Sequence, residues 1–262
     1  MDESAVLLQG EIDLQGRIMP ASNATFFGTV TCGETTLECV YKPVAGERPL
    51  WDFPDGTLAR REVAAYVVSE ALGWEVVPPT VLRDGPAGSG MVQAWREPDP
   101  GQAAVDLVPW GALPAGFRHV LDALDGDDDP VSLVHEDSPA LRRMAVFDIV
   151  VNNADRKGGH VLAMTDGHRH GVDHGVSFHV DDKLRTVLWG WAGEPLRAEE
   201  VTSLTALAGD LARPDGDLVA RLTDLLARDE LDALAARVDR LLRRPRMPHP
   251  SGQWPAIPWP AF

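Results

Sequence analysis

The chain has 262 residues, enough to bury a full core as one large domain or two lobes. Its 24 basic and 40 acidic residues give a net charge of -16, which disfavours non-specific binding to nucleic acid or to an anionic membrane surface, because the long-range field repels both. No apolar run reaches the roughly 18 residues of a membrane span, and the first residues lack the features of a signal peptide. We therefore expect a cytoplasmic protein.

The first third of the sequence predicts a small sheet with one helix. Apolar residues among positions 1–20 indicate a short helix followed by a strand. Residues 26–42 have the β-branched and aromatic enrichment of a hairpin. Residues 58–72 change to helical spacing and stop at Gly73. Two further strands, at residues 76–82 and 91–95, are joined by a predicted loop at residues 83–90.

The rest of the sequence predicts mainly helices. Residues 96–115 are acidic and contain prolines, which favours a crossing between lobes. Helices are predicted at residues 117–124, 139–151, 198–212 and 215–242, the last one broken near Arg228. Residues 184–191 read as a strand or loop, and the Pro- and Trp-rich tail to residue 262 as an extended strap.

The two cysteines, Cys32 and Cys39, lie in one short segment. Two free thiols in a reducing compartment are the expected state, and a disulfide across the hairpin is the alternative. They lack the spacing and the neighbouring ligands of a zinc site.

Four residues, in workable order, supply the parts that phosphoryl transfer needs. Such a site requires a lysine for the phosphates that are not transferred and a carboxylate that holds this lysine. It also requires an acid for magnesium and a base that orients the acceptor hydroxyl. These parts are Lys42 at a strand end, Glu62 on the next helix, Asp155 in a polar loop and Asp173 after a short apolar run. Each has a simple structural explanation alone, but together they indicate a nucleotide site.

The loop sequences carry a family resemblance. Residues 153–156 read Asn-Ala-Asp-Arg, Lys157 follows, and Asp173-His174-Gly175 comes after a Gly- and His-rich turn. The chain resembles a small bacterial member of the phosphatidylinositol 3- and 4-kinase branch of the kinase superfamily. It also resembles the bacterial persistence-toxin kinases that share its catalytic loop. The resemblance spans roughly residues 20–210. It implies an α+β, two-lobed kinase-like fold, with a β-rich N-lobe at residues 1–97 and a mainly helical C-lobe at residues 98–262.

The same resemblance implies ATP and Mg²⁺ as cofactors, with Mn²⁺ as an alternative. It makes Asp155 the residue that orients or deprotonates the acceptor and Asp173 a metal ligand. Lys42 would contact the phosphates and pair with Glu62. The remaining implied nucleotide contacts are Ser22 and Asn23, which open a segment over the phosphates, and Gln93, Ala94 and Trp95, the adenine-binding connection between lobes.

Two positions depart from the family pattern. His160 stands where the family places a metal-binding Asn, and an imidazole prefers softer ions than magnesium. Lys157 replaces a family His and would clamp phosphate instead of carrying a proton. The simpler alternatives are that His160 caps a loop and that Lys157 is solvated.

The sequence therefore predicts an ATP-dependent kinase that acts on a hydroxyl group of a soluble protein or a small polar metabolite. A phosphoinositide acceptor is least favoured, because the chain is acidic and lacks a membrane-binding element. Neither nucleic acid nor a stable membrane association is expected. Two alternatives remain: a kinase-fold nucleotidyltransferase, and a nucleotide-binding pseudokinase that regulates a partner. A zinc reading of the histidines at 168, 170, 174 and 179 is disfavoured, because no HExxH pattern is present.

Overall fold

A computed structural model describes residues 1–19, 23–54 and 56–262, which form a mixed α+β fold. A five-stranded antiparallel sheet has the order β1-β2-β3-β5-β4. The elements of this part are α1 (Glu3–Gln9), β1 (Glu11–Arg17), β2 (Phe26–Cys32), β3 (Thr35–Pro43), α2 (Leu58–Leu72), β4 (Thr80–Gly85) and β5 (Gly88–Ala94). The predicted order of helix and strands is confirmed. The predicted loop at residues 83–90 is wrong in extent, because β4 and β5 form a tight hairpin that occupies most of it.

Helix α2 lies between the sheet and the rest of the molecule. Ala59 and Val63 pack with Met91 of β5, whereas Val67, Val68 and their neighbours join the large core that includes α3. A helix that is apolar around most of its surface is buried on more than one side. It ends at Gly73, whose φ of 66° is the left-handed conformation that glycine adopts without a steric penalty. Glu62 on this helix is therefore held at the junction of the two parts.

A second antiparallel sheet follows, and the sequence did not predict it. Its strands are β6 (Val105–Pro109), β7 (Phe117–Leu124) and β8 (Pro130–Glu136), in the order β6-β8-β7. The helix predicted at residues 117–124 is wrong, because this segment pairs along its length with β8. The expectation of a mainly helical second part is correspondingly incomplete.

The remaining elements are α3 (Pro139–Val151), a short hairpin of β9 (Val161–Ala163) and β10 (Arg169–Gly171), α4 (Ala198–Leu211), α5 (Asp217–Thr223) and α6 (Arg228–Arg243). The helices predicted in this region are confirmed, including the break before Arg228. Both cysteines are free thiols. Within the described ranges, no helix combines the length and apolar character that would let it cross a membrane.

Candidate active site

Three residues from distant parts of the chain meet at one ammonium group. Lys42 Nζ, at the end of β3, donates to Glu62 Oε1 on α2 at 2.6 Å and to Asp173 Oδ1 at 2.9 Å. Asp173 lies just after β10, 131 residues beyond Lys42. The other oxygen of Glu62, Oε2, accepts the backbone N–H of His174 at 2.8 Å. Glu62 therefore holds both the lysine and the loop that carries Asp173.

The ammonium of Lys42 opposes the charge of both carboxylates in this trio. Burial alone would lower the pKa of Lys42, but the Asp173 and Glu62 carboxylates outweigh burial and raise it above its ordinary value. The nearby ammonium holds the pKa of Asp173 well below its usual range, against an opposing effect of burial. Burial raises the pKa of Glu62, with Lys42 opposing. Lys42 is therefore a permanent cation in this site.

Asp155 lies in the loop that follows α3. Its backbone N–H donates to Asn153 Oδ1 at 2.9 Å, and its Oδ2 is 3.4 Å from Lys157 Nζ. Burial raises the pKa of Asp155, the charge of Asp173 raises it further, and Lys157 opposes both. The side chain keeps 30% exposure. A partly desolvated carboxylate with a raised pKa can accept a proton more readily than a solvated one.

His160 faces Asp173 with a lone pair. Its Nδ1 lies 3.0 Å from the carbonyl oxygen of Asp155, which can only accept a hydrogen bond, so Nδ1 carries the proton. Burial lowers the pKa of His160 to about 4, so the ring is neutral at pH 7 and Nε2 is unprotonated. This nitrogen lies 3.4 Å from Asp173 Oδ2. Two electron-pair donors that face each other leave a position between them that suits a cation.

Arg156 ties the two acid-bearing loops together, a role that its place in the Asn-Ala-Asp-Arg motif did not reveal. It is fully buried, and its guanidinium donates to Asp148 Oδ2 at 3.0 Å and to Asp148 Oδ1 at 2.9 Å. Its Nη1 also donates to the carbonyl oxygens of His160 at 3.1 Å and Val172 at 3.0 Å. One side chain thus fixes the loop after Asp155 and the backbone immediately before Asp173. The sequence did contain one indication of this contact. Asp148 is a carboxylate on the apolar face of α3, and a buried charge requires a partner of opposite charge.

The predicted adenine connection is largely occupied by contacts within the protein. Gln93 is buried, and its Nε2 donates to Thr80 Oγ1 at 2.8 Å. The backbone N–H groups of Ala94 and Trp95 donate to the carbonyl oxygens of Pro79 and Glu38. An adenine ring bound here would therefore form hydrogen bonds with other backbone groups of this segment.

The predicted phosphate-covering segment is described in part. Asn23 Oδ1 accepts the backbone N–H of Arg48 at 2.8 Å, which ties the segment to the loop that precedes α2. Ser22 lies outside the described residues, and its role stays a prediction.

Among the residues that the structure describes, no three His, Cys, Asp or Glu side chains are arranged to share a metal ion. His168 and His170 both contact the carbonyl oxygen of Glu75, and His174 is buried against Arg156. His179 stacks edge-on against Phe53. The histidines considered for zinc therefore point to different partners.

The chain contains three lysines, and each one forms an ion pair. Lys42 and Lys157 pair with the site carboxylates. Lys183 is almost fully buried and pairs with Asp52 at 2.6 Å. An ammonium group acts as a compact point charge towards phosphate. Two of the three lysines of the chain therefore lie in the candidate site, which is a second signal that the sequence carries.

Comparison with known proteins finds a relative in sequence and likenesses among solved structures, one of which is described below. The chain is 53% identical over 270 residues to "Protein Rv2133c" of Mycobacterium tuberculosis, an alignment that covers 100% of this chain and 96% of the relative. The crystal structure of the proinflammatory kinase CtkA of Helicobacter pylori aligns over 92% of this chain and 94% of that chain, with 11% identity and a TM-score of 0.46. No protein-family model matches.

Proposed function

The chain belongs to the family of Protein Rv2133c of Mycobacterium tuberculosis, and we propose that it is an ATP-dependent phosphotransferase. The observation that carries the proposal is the bridging ammonium of Lys42, 2.6 Å from Glu62 and 2.9 Å from Asp173. A lysine held by a helix carboxylate beside a metal-loop aspartate is the arrangement that kinases use to position nucleotide phosphates. In this proposal ATP lies between residues 1–97 and 98–262, with its phosphates against Lys42.

Asp173 and His160 would hold a divalent cation, Mg²⁺ or Mn²⁺, which supplies charge neutralisation for the phosphates. Ligands at about 2.1 Å that occupy adjacent octahedral positions are roughly 3 Å apart, close to the 3.4 Å between His160 Nε2 and Asp173 Oδ2. Magnesium commonly binds through one or two protein ligands, phosphate oxygens and waters. A site with only two protein ligands is therefore compatible with this ion, and the imidazole favours Mn²⁺ more than an Asn would.

Asp155 orients or deprotonates the acceptor hydroxyl in this proposal, and Lys157 clamps a transferred phosphate. The raised pKa of Asp155 suits a proton acceptor. The favoured acceptor is a hydroxyl of a soluble protein or a small polar metabolite. The enzyme would be of the phosphatidylinositol 3-/4-kinase-like type without a lipid acceptor, since its net charge of -16 repels an anionic surface.

A second candidate is a nucleotide-binding pseudokinase, and His160 is the observation that favours it. The neutral imidazole stands where the kinase loop has a metal-binding Asn, and one Asp173 oxygen is already occupied by Lys42. A variant of the enzyme hypothesis is nucleotidyl transfer, in which the nucleotide binds in the reversed orientation. The position of a radioactive label in ATP distinguishes phosphoryl transfer from nucleotidyl transfer, and a pseudokinase transfers neither label.

The three lysines make a direct binding test possible. An acyl phosphate of ATP acylates amines that lie beside bound phosphates, and mass spectrometry can resolve all three sites. We expect labelling of Lys42, and of Lys157 to a smaller extent, that excess ATP suppresses. Lys183, which is 5% exposed, is the internal control and should stay unlabelled. Equal labelling of Lys42 with and without competing ATP would contradict a nucleotide site.

Transfer is tested with ATP labelled at the γ- or the α-phosphate, with Mg²⁺ or Mn²⁺ and cell extract. A kinase transfers only the γ-label, and a nucleotidyltransferase transfers the α-label. Asp155→Ala should abolish transfer and largely retain ATP binding, whereas Asp173→Ala should abolish metal-dependent binding. The matched control is Asp181→Ala, which removes a carboxylate that is 77% exposed. ATP binding without transfer or hydrolysis would support the pseudokinase and exclude the enzyme.

A further inference from the structure

The last nine residues of the sequence, 254–262, which we call the strap, dock directly on the loop that carries Asp155. The backbone N–H of Gly158 donates to the carbonyl oxygen of Ala261 at 2.8 Å. The ring of Phe262 lies against Gly158 so closely that a Cβ added at this glycine would overlap it. Ala261 is buried in the large core that contains α3. The strap therefore contacts the backbone three residues after Asp155.

The strap also reaches the same loop through an intermediate segment. The carbonyl oxygen of Ala256 accepts from the backbone N–H of Thr186 at 3.0 Å and from Trp189 Nε1 at 2.8 Å. Thr186 in turn forms a parallel bridge with Arg156, whose backbone N–H and C=O bond to the neighbours of Thr186. A series of backbone hydrogen bonds thus connects the strap, through residues 185–187, to the loop that contains Asp155.

A cluster of aromatic rings anchors the other end of the strap. Lys183 Nζ lies 4.9 Å from the ring of Trp254 and 4.9 Å from that of Trp51, and it pairs with Asp52 at 2.6 Å. An ammonium over aromatic faces is attracted by the ring quadrupoles, and more strongly when it is desolvated. Trp51 and Asp52 lie in the loop that leads into α2, the helix of Glu62. The strap is therefore fixed at one end to the loop that follows Asp155 and at the other end, through Lys183, to the loop that leads into α2.

We propose that the strap is a positioning element that holds the Asp155 loop in its reactive geometry. The alternative, an inhibitory cover, fits less well because the acids stay accessible with the strap docked: the Asp155 side chain is 30% exposed and that of Asp173 is 50% exposed. The strap contacts the backbone of the loop instead of its carboxylates. Phe262 and Ala261 act through Gly158 on Asp155, and this role rests on the proposed phosphotransferase function.

Two glycines of the loop provide a matched pair of variants. Gly158→Ala places a methyl group in the Phe262 ring, whereas a Cβ at Gly159 meets no atom within 4 Å. Neither glycine has a positive φ, so alanine is compatible with both backbones. Phe262→Ala removes the ring and makes room for the methyl group. The double variant Gly158→Ala/Phe262→Ala therefore separates displacement of the strap from any other effect of the methyl group.

Hydrogen exchange on the protein without nucleotide tests the docking by itself. In Gly158→Ala and Phe262→Ala, the amides of Gly158, Thr186 and Arg156 should exchange faster than in the parent protein, and Gly159→Ala should match the parent. Unchanged exchange of the Arg156 amide in both strap variants would overturn the positioning role, whatever the activity. This readout is independent of ATP.

Steady-state release of inorganic phosphate from ATP and Mg²⁺ gives the functional readout. We expect Gly158→Ala to lower kcat about ten- to hundredfold while KM for ATP stays within about twofold, because the loop moves and Lys42 does not. Adding Gly158→Ala to the Phe262→Ala variant should lower kcat only slightly further. A further tenfold loss in the double variant, or a kcat that rises when the strap is displaced, would overturn the proposal. Absence of ATP binding by the parent protein would instead refute the proposed function, and hydrogen exchange would still decide the docking.

Discussion

Replacing Asp148 by Asn tests the buried ion pair on which the site loops depend. The Asp148 and Arg156 side chains are both fully buried, and Arg156 Nε lies 3.0 Å from Asp148 Oδ2. Asparagine keeps the shape and removes the negative charge, so the guanidinium is left buried without a counter-charge. Removal of one partner from such a pair costs about 3–5 kcal/mol. In a chain of this size that loss corresponds to a fall in Tm of about 10 °C.

The chain offers a control pair at the surface with a similar separation. Arg228 Nε lies 3.0 Å from Asp232 Oδ1 on α6, but these side chains are 85% and 64% exposed. Asp232→Asn should therefore cost about 0.5 kcal/mol or less, because solvent and salt screen the pair. The two pairs differ in burial and in the second hydrogen bond that Arg156 donates to Asp148, so the difference between the two variants measures these two effects together.

Urea and thermal unfolding of both variants at pH 7 provide the measurement, with far-ultraviolet circular dichroism to check that each one folds. We expect a large loss of unfolding free energy for Asp148→Asn and almost none for Asp232→Asn. Similar small losses in the two variants would refute it, because they would mean that Arg156 finds compensation after Asp148 is neutralised. If Asp148→Asn does not fold, Asp148→Glu, which keeps the charge, should be recovered folded with an intermediate stability.

Three further predictions concern stability. Burial lowers the pKa of His135 to about 4, below the ordinary value of 6.5, so the unfolded chain binds this proton first. This one group should lower the free energy of unfolding by about 3 kcal/mol between pH 6.5 and pH 4, in addition to the effect of other buried histidines. Urea unfolding across this range should show a smaller decrease for His135→Gln than for the parent protein. Lys183→Met leaves Asp52 without its ammonium, and faster hydrogen exchange of Thr186 is the expected result. Met144→Ala, at a fully buried position, should cost about 2–5 kcal/mol in urea unfolding, whereas a loss below 1 kcal/mol would show that the core collapses around the cavity.

The missed second sheet shows where periodicity misleads. In β7, apolar residues at 117, 120, 121 and 124 have helical spacing. The register of β7 against β8 shifts between His119 and Leu121, and this irregularity interrupts the alternation that would reveal a strand. Local spacing cannot distinguish such a strand from a helix, because the pairing partner lies elsewhere in the chain.

In the candidate site, by contrast, part of the arrangement could be predicted from the sequence. Lys42, Glu62 and Asp173 could be chosen from their residue types and order, and the fold brings them together. The supporting groups could not be chosen in that way. Arg156 is one of many arginines, and nothing in its immediate sequence indicates that it reaches Val172, sixteen residues away. The contact between Gly158 and Phe262 depends on the path of the strap, which has no periodic pattern.

The separation of Lys42 and Asp173 along the chain has a consequence for synthesis. At about 5–20 residues per second, the 131 residues between them take on the order of 10 s to emerge from a ribosome. For most of that interval Glu62 is the only one of its site partners that the nascent chain contains, because Asp155 and Asp173 are made near its end. The strap emerges later still. Asp173 is the last of the four candidate residues to be made, so the proposed site stays incomplete until synthesis has passed this residue.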